Sequence, residues 1–492
     1  MKALLVYPEY PHTFWSFKYA LNFISRRASF PPLGLLTVAA LLPEEWEKKL
    51  VDMNTTVLND KDIEWADYIF ISATTIQKES VRILVSKCKL MKKKIVAGGP
   101  LFKIEHEEFD MIDHLVLDEA ELTLPVFLRD LRDGNPRRIY QSDQWAHLSD
   151  TPVPLWHLIK MKNYASMSIQ FSRGCPYNCE FCDVTLLMGR KLRSKSKDQI
   201  LNELDKLYSC GWRGEVFFVD DNIIGNKVKL KKEIIPAIYE WQNERKHPFT
   251  FITQASINLA DDDELLRLMV KSGFDTVFVG IESPNEESLA ECGKIQNKNR
   301  DLTVCVDKMQ RSGMQVQGGF ILGFDSDPPS IFDSLIDFIQ KTGIVTAMVG
   351  LLNAPKGTRL YQRLMEDNRI VKLISGDNTD LSINFIPKMN YDELIKGYMK
   401  VIDTIYTPKY YYERVIRLLK NLDPLPKGKY KFRVNNIKAF FKSIWFIGIR
   451  ERGRFHFWKL FFWSLFRHPR TFPLAITFAI YGYHFRRVFE IT

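Results

Sequence analysis

A chain of 492 residues that is 46% apolar and 26% charged is too long for a single core and too apolar to be intrinsically disordered, so two or three domains are expected. Its net charge of +10 is unevenly placed: from Lys427 onward 14 Lys and Arg face two acids, giving +12, and the preceding 426 residues sum to −2. The main body therefore needs no nucleic acid as partner. Seven cysteines, an odd number with no secretory signal ahead of them, argue against a disulfide framework and predict the reducing cytoplasm.

Residues 1–145 read as alternating strands and helices. Apolar, β-rich runs fall at Ala3–Tyr7, Lys49–Asp52, Tyr68–Ser72, Lys94–Ala97 and His114–Leu117, with helical stretches such as Leu33–Leu42 and Lys78–Leu90 between them. That alternation predicts an α/β fold with a parallel sheet covered on both faces, a doubly wound, Rossmann-like domain. Such sheets bind ligands at the carboxyl ends of their strands, where this chain carries Tyr7, Ser72, Thr74, Gln77, Gly98, Gly99 and Glu119. Small residues and paired glycines let backbone approach a bulky ligand, although ordinary βα turns have the same composition.

Between residues 160 and 352 a second series of strands is predicted at Ser168–Ser172, Glu215–Val219, Thr250–Gln254, Thr276–Ile281, Gln315–Leu322 and Thr346–Leu351. After the first of these comes Gly174-Cys175-Pro176-Tyr177-Asn178-Cys179-Glu180-Phe181-Cys182. A C-x3-C-x2-C loop can carry three thiolates to three irons of a cubane and leave the fourth iron open for chemistry. Zinc would want a fourth Cys or His close by, and the next cysteine is Cys210. Asp220-Asp221-Asn222 follows the second strand, Gly280-Ile281-Glu282-Ser283 ends the fourth, and Gly319-x-Ile321-x-Gly323 lies on the fifth. Helix caps and strand bulges can use the same residues.

The cysteine spacing, with Phe181 in the aromatic position before the last cysteine, resembles the signature of the radical S-adenosylmethionine (SAM) superfamily. A doubly wound domain precedes it, and Leu5-Val6-Tyr7-Pro8, Phe30-Pro31-Pro32-Leu33-Gly34, Gly98-Gly99-Pro100 and Glu119-Ala120-Glu121 are in place. Over essentially its whole length the chain is thus similar to the cobalamin-binding radical SAM enzymes, nearest to the subgroup of hopanoid and bacteriochlorophyll C-methylases. The resemblance implies a partial (β/α)6 barrel and a [4Fe-4S] cluster on Cys175, Cys179 and Cys182. It implies SAM contacts from Phe181, Asp220, Asp221, Glu282, Ser283, Gly319, Ile321 and Gly323, and cobalamin held by Tyr7, Ser72, Thr74, Gln77, Gly98, Gly99 and Glu119. The Asp-x-His-x-x-Gly motif of some cobalamin proteins is absent, so no histidine is implied below the cobalt; any lower-face contact would come from the Ser72 to Gln77 loop. The implied reaction is methylation of an unactivated carbon in an apolar or amphiphilic, lipid or tetrapyrrole-like substrate. One SAM methylates cobalamin, and a second is cleaved reductively to a 5′-deoxyadenosyl radical that abstracts a substrate hydrogen, with electrons from a donor such as flavodoxin or ferredoxin. A non-methylating rearrangement, cyclisation or coupling stays open, as does a non-catalytic cobalamin or cluster carrier.

The remaining features are read more plainly. The basic run Arg190, Lys191, Arg193, Lys195 and Lys197 is either solvated or meets an anion. His12, Lys18 and Phe14-Trp15-Ser16-Phe17 either border a cavity or plug two domains together, and Cys88, Cys210, Cys292 and Cys305 are expected to be buried or half-buried fillers. Residues 353–426 form a helical extension closing at Asp423-Pro424-Leu425-Pro426. In 427–492 aromatic and basic residues interleave; its longest run free of Lys, Arg, His, Asp and Glu, Thr471 to Tyr483, has 13 residues, too few to span a bilayer. Two readings stay open for this tail: helices lying in the interface of a membrane, giving peripheral attachment, or a lid packed over the barrel mouth.

Overall fold

The structure, a computed structural model, describes residues 1–377, 379–422 and 434–491. The expected boundary at Asp423-Pro424-Leu425-Pro426 lies outside the described residues. Six strands, β1 (Lys2–Tyr7), β2 (Glu47–Asp52), β3 (Tyr68–Ser72), β4 (Lys94–Gly98), β5 (His114–Val116) and β6 (Ile139–Tyr140), form a parallel sheet in the order β2-β1-β3-β4-β5-β6. Successive side chains point to opposite faces. Leu4, Val6, Ile69 and Ile71 accordingly enter one core, and Ala3, Leu5, Phe70 and Val96 the core on the other face. Both faces are covered, so the strands read as unbroken apolar runs rather than alternating ones. The short β6 carries no such run and was not expected from sequence.

A second parallel sheet follows. Its strands are β7 (Met167–Ile169), β10 (Glu215–Phe218), β11 (Thr250–Gln254), β12 (Phe274–Glu282), β13 (Gln315–Leu322) and β14 (Ala347–Leu351), in the order β14-β13-β12-β11-β10-β7, while β8 (Ser172–Arg173) and β9 (Arg193–Ser194) pair as a separate antiparallel ribbon. The strand expected over Ser168–Ser172 is thus split. The cause is Asp220, whose carboxylate accepts the backbone N–H of Phe171 and of Ser172 as well as the Ser172 hydroxyl, drawing the chain out of the sheet.

Helices Tyr391–Tyr406 and Pro408–Asn421 and the tail helices Val434–Ser443, Arg454–Arg467 and Phe472–Val488 pack into the same core as the barrel strands. The tail is held by specific contacts. The Tyr411 hydroxyl donates to Phe478 O at 2.7 Å, His484 Nε2 donates to Phe14 O at 2.9 Å, Phe14 stacks on Phe485 with centroids 4.5 Å apart, and Arg486 pairs with Glu451 at 2.6 Å. The tail is therefore packed onto the rest of the chain. Trp445, Ile449, Phe455, Phe462 and Phe466 are among its exposed apolar side chains. Among the described residues no helix is long and apolar enough to cross a membrane.

Candidate active site at the barrel's carboxyl end

The cysteine loop leaves β8 through Gly174, whose φ of +94° and crowded surroundings favour glycine. Cys175 N donates to Gly189 O at 3.2 Å, Cys182 N to Cys179 O at 3.2 Å and Glu180 N to Cys292 O at 2.8 Å. The Glu180 carboxylate receives a two-pronged grip from Arg363 at 2.7 and 3.0 Å, so the loop is fixed at both backbone and side chain. Phe181 faces Phe324, its ring centroid 6.3 Å away.

Three free thiols on one pinned loop are the donor set that a cubane needs. Burial pushes the Cys182 thiol up to about 12, so forming the thiolates requires nearby positive charge, which iron supplies and Lys294 reinforces. Burial works against the Lys294 charge, but Glu282, Cys179 and Cys182 raise its pKa overall. Among the described residues no three His, Cys, Asp or Glu side chains converge as a single ion would require; a cubane, whose corners hold its thiolates several ångström apart, does not ask for that. The residues fit the cluster.

The barrel strands place the other expected SAM contacts unevenly. Asp220 is fully buried and occupied by Phe171 and Ser172, and burial pushes its carboxyl up to about 6. Asp221 is half-buried and acts on Cys175 electrostatically; burial, then Asp220 and Asp183, push it up to about 7. Glu282 ends β12 in the left-handed region, φ +65°, and its carboxylate binds Lys294 Nζ at 2.6 Å. Gly280 makes this possible: a Cβ there would lie 2.9 Å from Lys294 Nζ and closer still to the Glu282 carboxylate. Asn297 Nδ2 bridges the carbonyls of Gly280 and Ile281 at 3.1 and 2.9 Å. Ser283 is buried and accepts from Asn285 N. A Cβ on Gly319 would sit 2.8 Å from the Phe278 ring, so a protein ring already covers that glycine; Ile321 is half-buried, and Gly323, φ +105°, donates its N–H to Asp327 at 2.8 Å.

At the first sheet most of the expected residues are satisfied internally. Gln77 donates to Pro8 O and accepts from Thr74, closing a capping box. A Cβ on Gly98 would meet Val116 O at 2.5 Å, and one on Gly99, φ +95°, Ser72 Oγ at 2.6 Å. Tyr7 shares a hydrogen bond with the Tyr10 hydroxyl. Glu119 and Glu121 grip Arg173 at 2.9 and 2.8 Å, and Glu119 also binds Arg193 at 2.6 Å. Because Arg173 and Gly174 lead into Cys175, this cluster ties the first sheet's loop to the cysteine loop, a link that sequence reasoning missed.

The basic run is only partly solvated: Arg193 is in that cluster and Lys195 forms a buried pair with Glu203, while Arg190 and Lys191 are exposed. Cys88 and Cys292 are buried and Cys305 half-buried, but Cys210 is exposed. Trp15 packs against Phe278 with centroids 5.5 Å apart. With His12, Phe17 and Lys18 it lines a cavity of about 1590 Å³ that runs from Tyr7, Tyr10 and Ile76 at the first sheet through the barrel to Glu215 and Gln315. The cysteines do not line it; on the strands its walls include Phe217, Ile252, Gln254, Phe278, Gln317 and Met348.

The profile described as Radical SAM superfamily matches residues 169–339, and one described as a domain of unknown function, DUF4070, matches residues 358–492. An uncharacterized methyltransferase of Synechocystis sp. is 39% identical over 497 residues, covering 100% of this chain and 92% of its own. The hopanoid C-2 methylase of Rhodopseudomonas palustris is 31% identical over 470 residues, 93% of this chain and 88% of its own. Among solved structures, the cobalamin-dependent SAM radical enzyme OxsB with aquacobalamin and SAM bound aligns with a TM-score of 0.64 at 16% identity, over 99% of this chain and 80% of that one. That last likeness is one of fold.

Proposed function

This chain belongs to the radical SAM methyltransferase family that includes hopanoid C-2 methylase, and we propose that it methylates an unactivated carbon of a lipid-like substrate with the help of a [4Fe-4S] cluster, SAM and cobalamin. The observation that carries the reading is the pinned three-thiol loop beside the Lys294–Glu282 pair, joined through Arg173 to the carboxyl end of a doubly wound sheet. When bound, the cofactors supply a hydrogen-abstracting radical and a transferable methyl group. The protein's own part is to hold, orient and exclude water. Lys294 keeps positive charge beside the thiolates, Asp221 offers a carboxylate next to Cys175 for an amino group, and Arg173 fixes the spacing between the two sheets. Main-chain groups around Ser72, Thr74, Gly98 and Gly99 would receive the corrin, since Gln77 and Glu119 are already engaged.

Reductive cleavage of SAM consumes an electron, so the reading requires a low-potential donor of the flavodoxin or ferredoxin type. The exposed rings of the tail, with Arg450 over Trp445 and Arg454 over Phe455, support a peripheral place on the cytoplasmic face of a membrane. The test is chemical: reconstituted protein with SAM and a strong reductant should form 5′-deoxyadenosine, and with substrate also S-adenosylhomocysteine. A deletion strain should lack lipids one methyl heavier than those it retains. A strain with unchanged lipids but missing methylated pigments would replace the lipid with a tetrapyrrole, and 5′-deoxyadenosine with no methylated product in any extract would favour a non-methylating reaction.

A further inference from the structure

The three sulfurs of the cysteine loop are not served alike. Cys175 and Cys182 each take a hydrogen bond from the loop's own backbone, from the N–H groups of Tyr177 and Val184. Cys179, which is buried where the other two are half-buried, takes its bond from a side chain 117 residues away: Gln296 Nε2 donates to Cys179 Sγ at 3.9 Å. Charge is divided in the same way. The carboxylates of Asp221 and Asp183 act on Cys175 and Cys182, whereas Cys179 faces the Gln296 amide and interacts with the Lys294 ammonium more strongly than Cys182 does.

Gln296 is held firmly for such a contact. The turn that carries it begins at Gly293, φ +70°, and is tied to the cysteine loop where Cys292 O accepts from Glu180 N at 2.8 Å. At the other end of the turn, Asn297 Nδ2 bonds the carbonyls of Gly280 and Ile281 on β12. The Gln296 side chain is 7% exposed, and its Oε1 has no partner among the described residues. Burying an amide with incomplete hydrogen bonding is costly, so the acceptor it does meet matters. A thiol accepts weakly, but a thiolate on iron is a charged acceptor, for which hydrogen bonds are roughly twice as strong. Turning the amide oxygen to the sulfur would set two acceptors together, so the nitrogen is the atom that belongs there.

We infer that Gln296 is a positioning residue for Cys179 that raises the reduction potential of the cluster, its amide donating to a sulfur that gains negative charge when an electron arrives. Hydrogen bonds to the sulfurs are among the quantities that set such potentials. The inference rests on the reading of Cys175, Cys179 and Cys182 as the cluster's ligands, and adds to it a side chain that governs how readily the electron consumed in SAM cleavage is accepted. The donors from Tyr177 and Val184 are main-chain groups fixed by the loop, so Gln296 is the one of these three that a single substitution removes.

A redox titration of the cluster-reconstituted full chain, followed by electron paramagnetic resonance without SAM, tests this. Gln296→Leu keeps most of the bulk and removes the donor, and should lower the midpoint by about 59 mV, a tenfold shift in a one-electron equilibrium. Gln296→Glu is equal in size, sets an anion beside the sulfur and should lower the midpoint at least as far. Iron and sulfide content and the unfolding midpoint check that each variant carries the same cluster in the same fold; a side chain that only filled space would move the unfolding midpoint and leave the potential where it was. The parent protein gives a reading that needs no variant: with nitrogen-15 confined to glutamine side-chain amides, pulsed resonance of the reduced cluster should show a coupling to that nucleus. A fully loaded variant of either kind whose midpoint moves by less than about 18 mV, a twofold shift, or a parent spectrum without the coupling, overturns the role of Gln296 and leaves the cluster's ligands standing. A parent chain that takes up no cluster overturns the reading of the three cysteines and this inference with it.

Discussion

At the carboxyl end of the first sheet, Gln77 is closed in a capping box, Gly98 and Gly99 are packed against Val116 and Ser72, and Glu119 is held by two arginines. At the carboxyl end of the second, Asp221 sits among other carboxyls, Lys294 faces two thiols, and Glu282 is held in a left-handed conformation by the partner it binds. The two parallel sheets share an architecture and differ in how much chemistry their ends have left to offer. An internally satisfied surface can hold a large flat ligand by shape and main chain. A surface that keeps an ion pair and a further carboxylate beside three thiols is suited to gripping a zwitterion.

The largest way to break the comparison is Cys179→Ala. Three thiolates are needed to hold the cubane, so the variant should lose its iron-sulfur absorbance and all SAM cleavage, while cobalamin binding, measured by gel filtration and visible spectrum, stays at the parent level. Loss of both cofactors together would show that the two ends are one site. Next comes Lys294→Ala. It leaves Glu282 buried without its partner, and breaking a buried pair from one side costs about 3–5 kcal/mol. The loss should appear in urea unfolding followed by tryptophan fluorescence, and Lys294→Arg should recover part of it. A change below about 1 kcal/mol would mean that Glu282 is not held by that charge.

A smaller effect separates the tail from both sheets. Burial lowers the His484 pKa from its usual range to about 4 against the hydrogen bond to Phe14. The folded protein therefore keeps this ring neutral where the unfolded chain protonates it, and the stability so gained is present above about pH 6.5 and lost as pH falls toward 4. At pH 5 the cost relative to pH 7 is about 2 kcal/mol. His484→Gln can still donate to Phe14 O and should flatten this slope, read from unfolding midpoints at the two pH values. An unchanged slope would assign the acid sensitivity to carboxylates elsewhere.

Much of this was legible in the sequence where the signal is local. Strands β3, β11 and β13 begin and end where their β-branched and aromatic runs do, and the cysteine spacing put three thiols on one short loop. Interactions across the chain were not legible. Lys294 and Asn297 reach the site from a turn with no periodicity, and Arg173 meets Glu119 and Glu121 over a separation of more than fifty residues. Asp220 had the composition of a SAM contact and instead pulls Phe171 and Ser172 out of the sheet. The tail's charge could be counted, but which of its aromatic residues face the barrel depends on where Phe14 and Tyr411 stand in three dimensions.

That division of the tail gives the mildest and most local test. Phe457, Phe478 and Phe485 are buried, whereas Phe455 and Phe466 are each 75% exposed. Arg450 lies over Trp445 at 5.1 Å and Arg454 over Phe455 at 5.5 Å, so two of the exposed rings are presented together with cations. Burying one such ring in the interface of a bilayer is worth about 1.5–3 kcal/mol, and the cations add attraction that salt screens. The protein should therefore co-sediment with vesicles of equal parts phosphatidylglycerol and phosphatidylcholine, more weakly in high salt but not negligibly. Phe455→Ser and Phe466→Ser should each reduce binding by roughly tenfold with no change in unfolding or in SAM cleavage, because neither side chain supports the core. Phe485→Ser should do the reverse, destabilising the protein by about 3–5 kcal/mol as a large-to-small core change does. Indifference to both vesicles and salt would leave these rings as ordinary surface and remove the membrane from the account without touching the barrel.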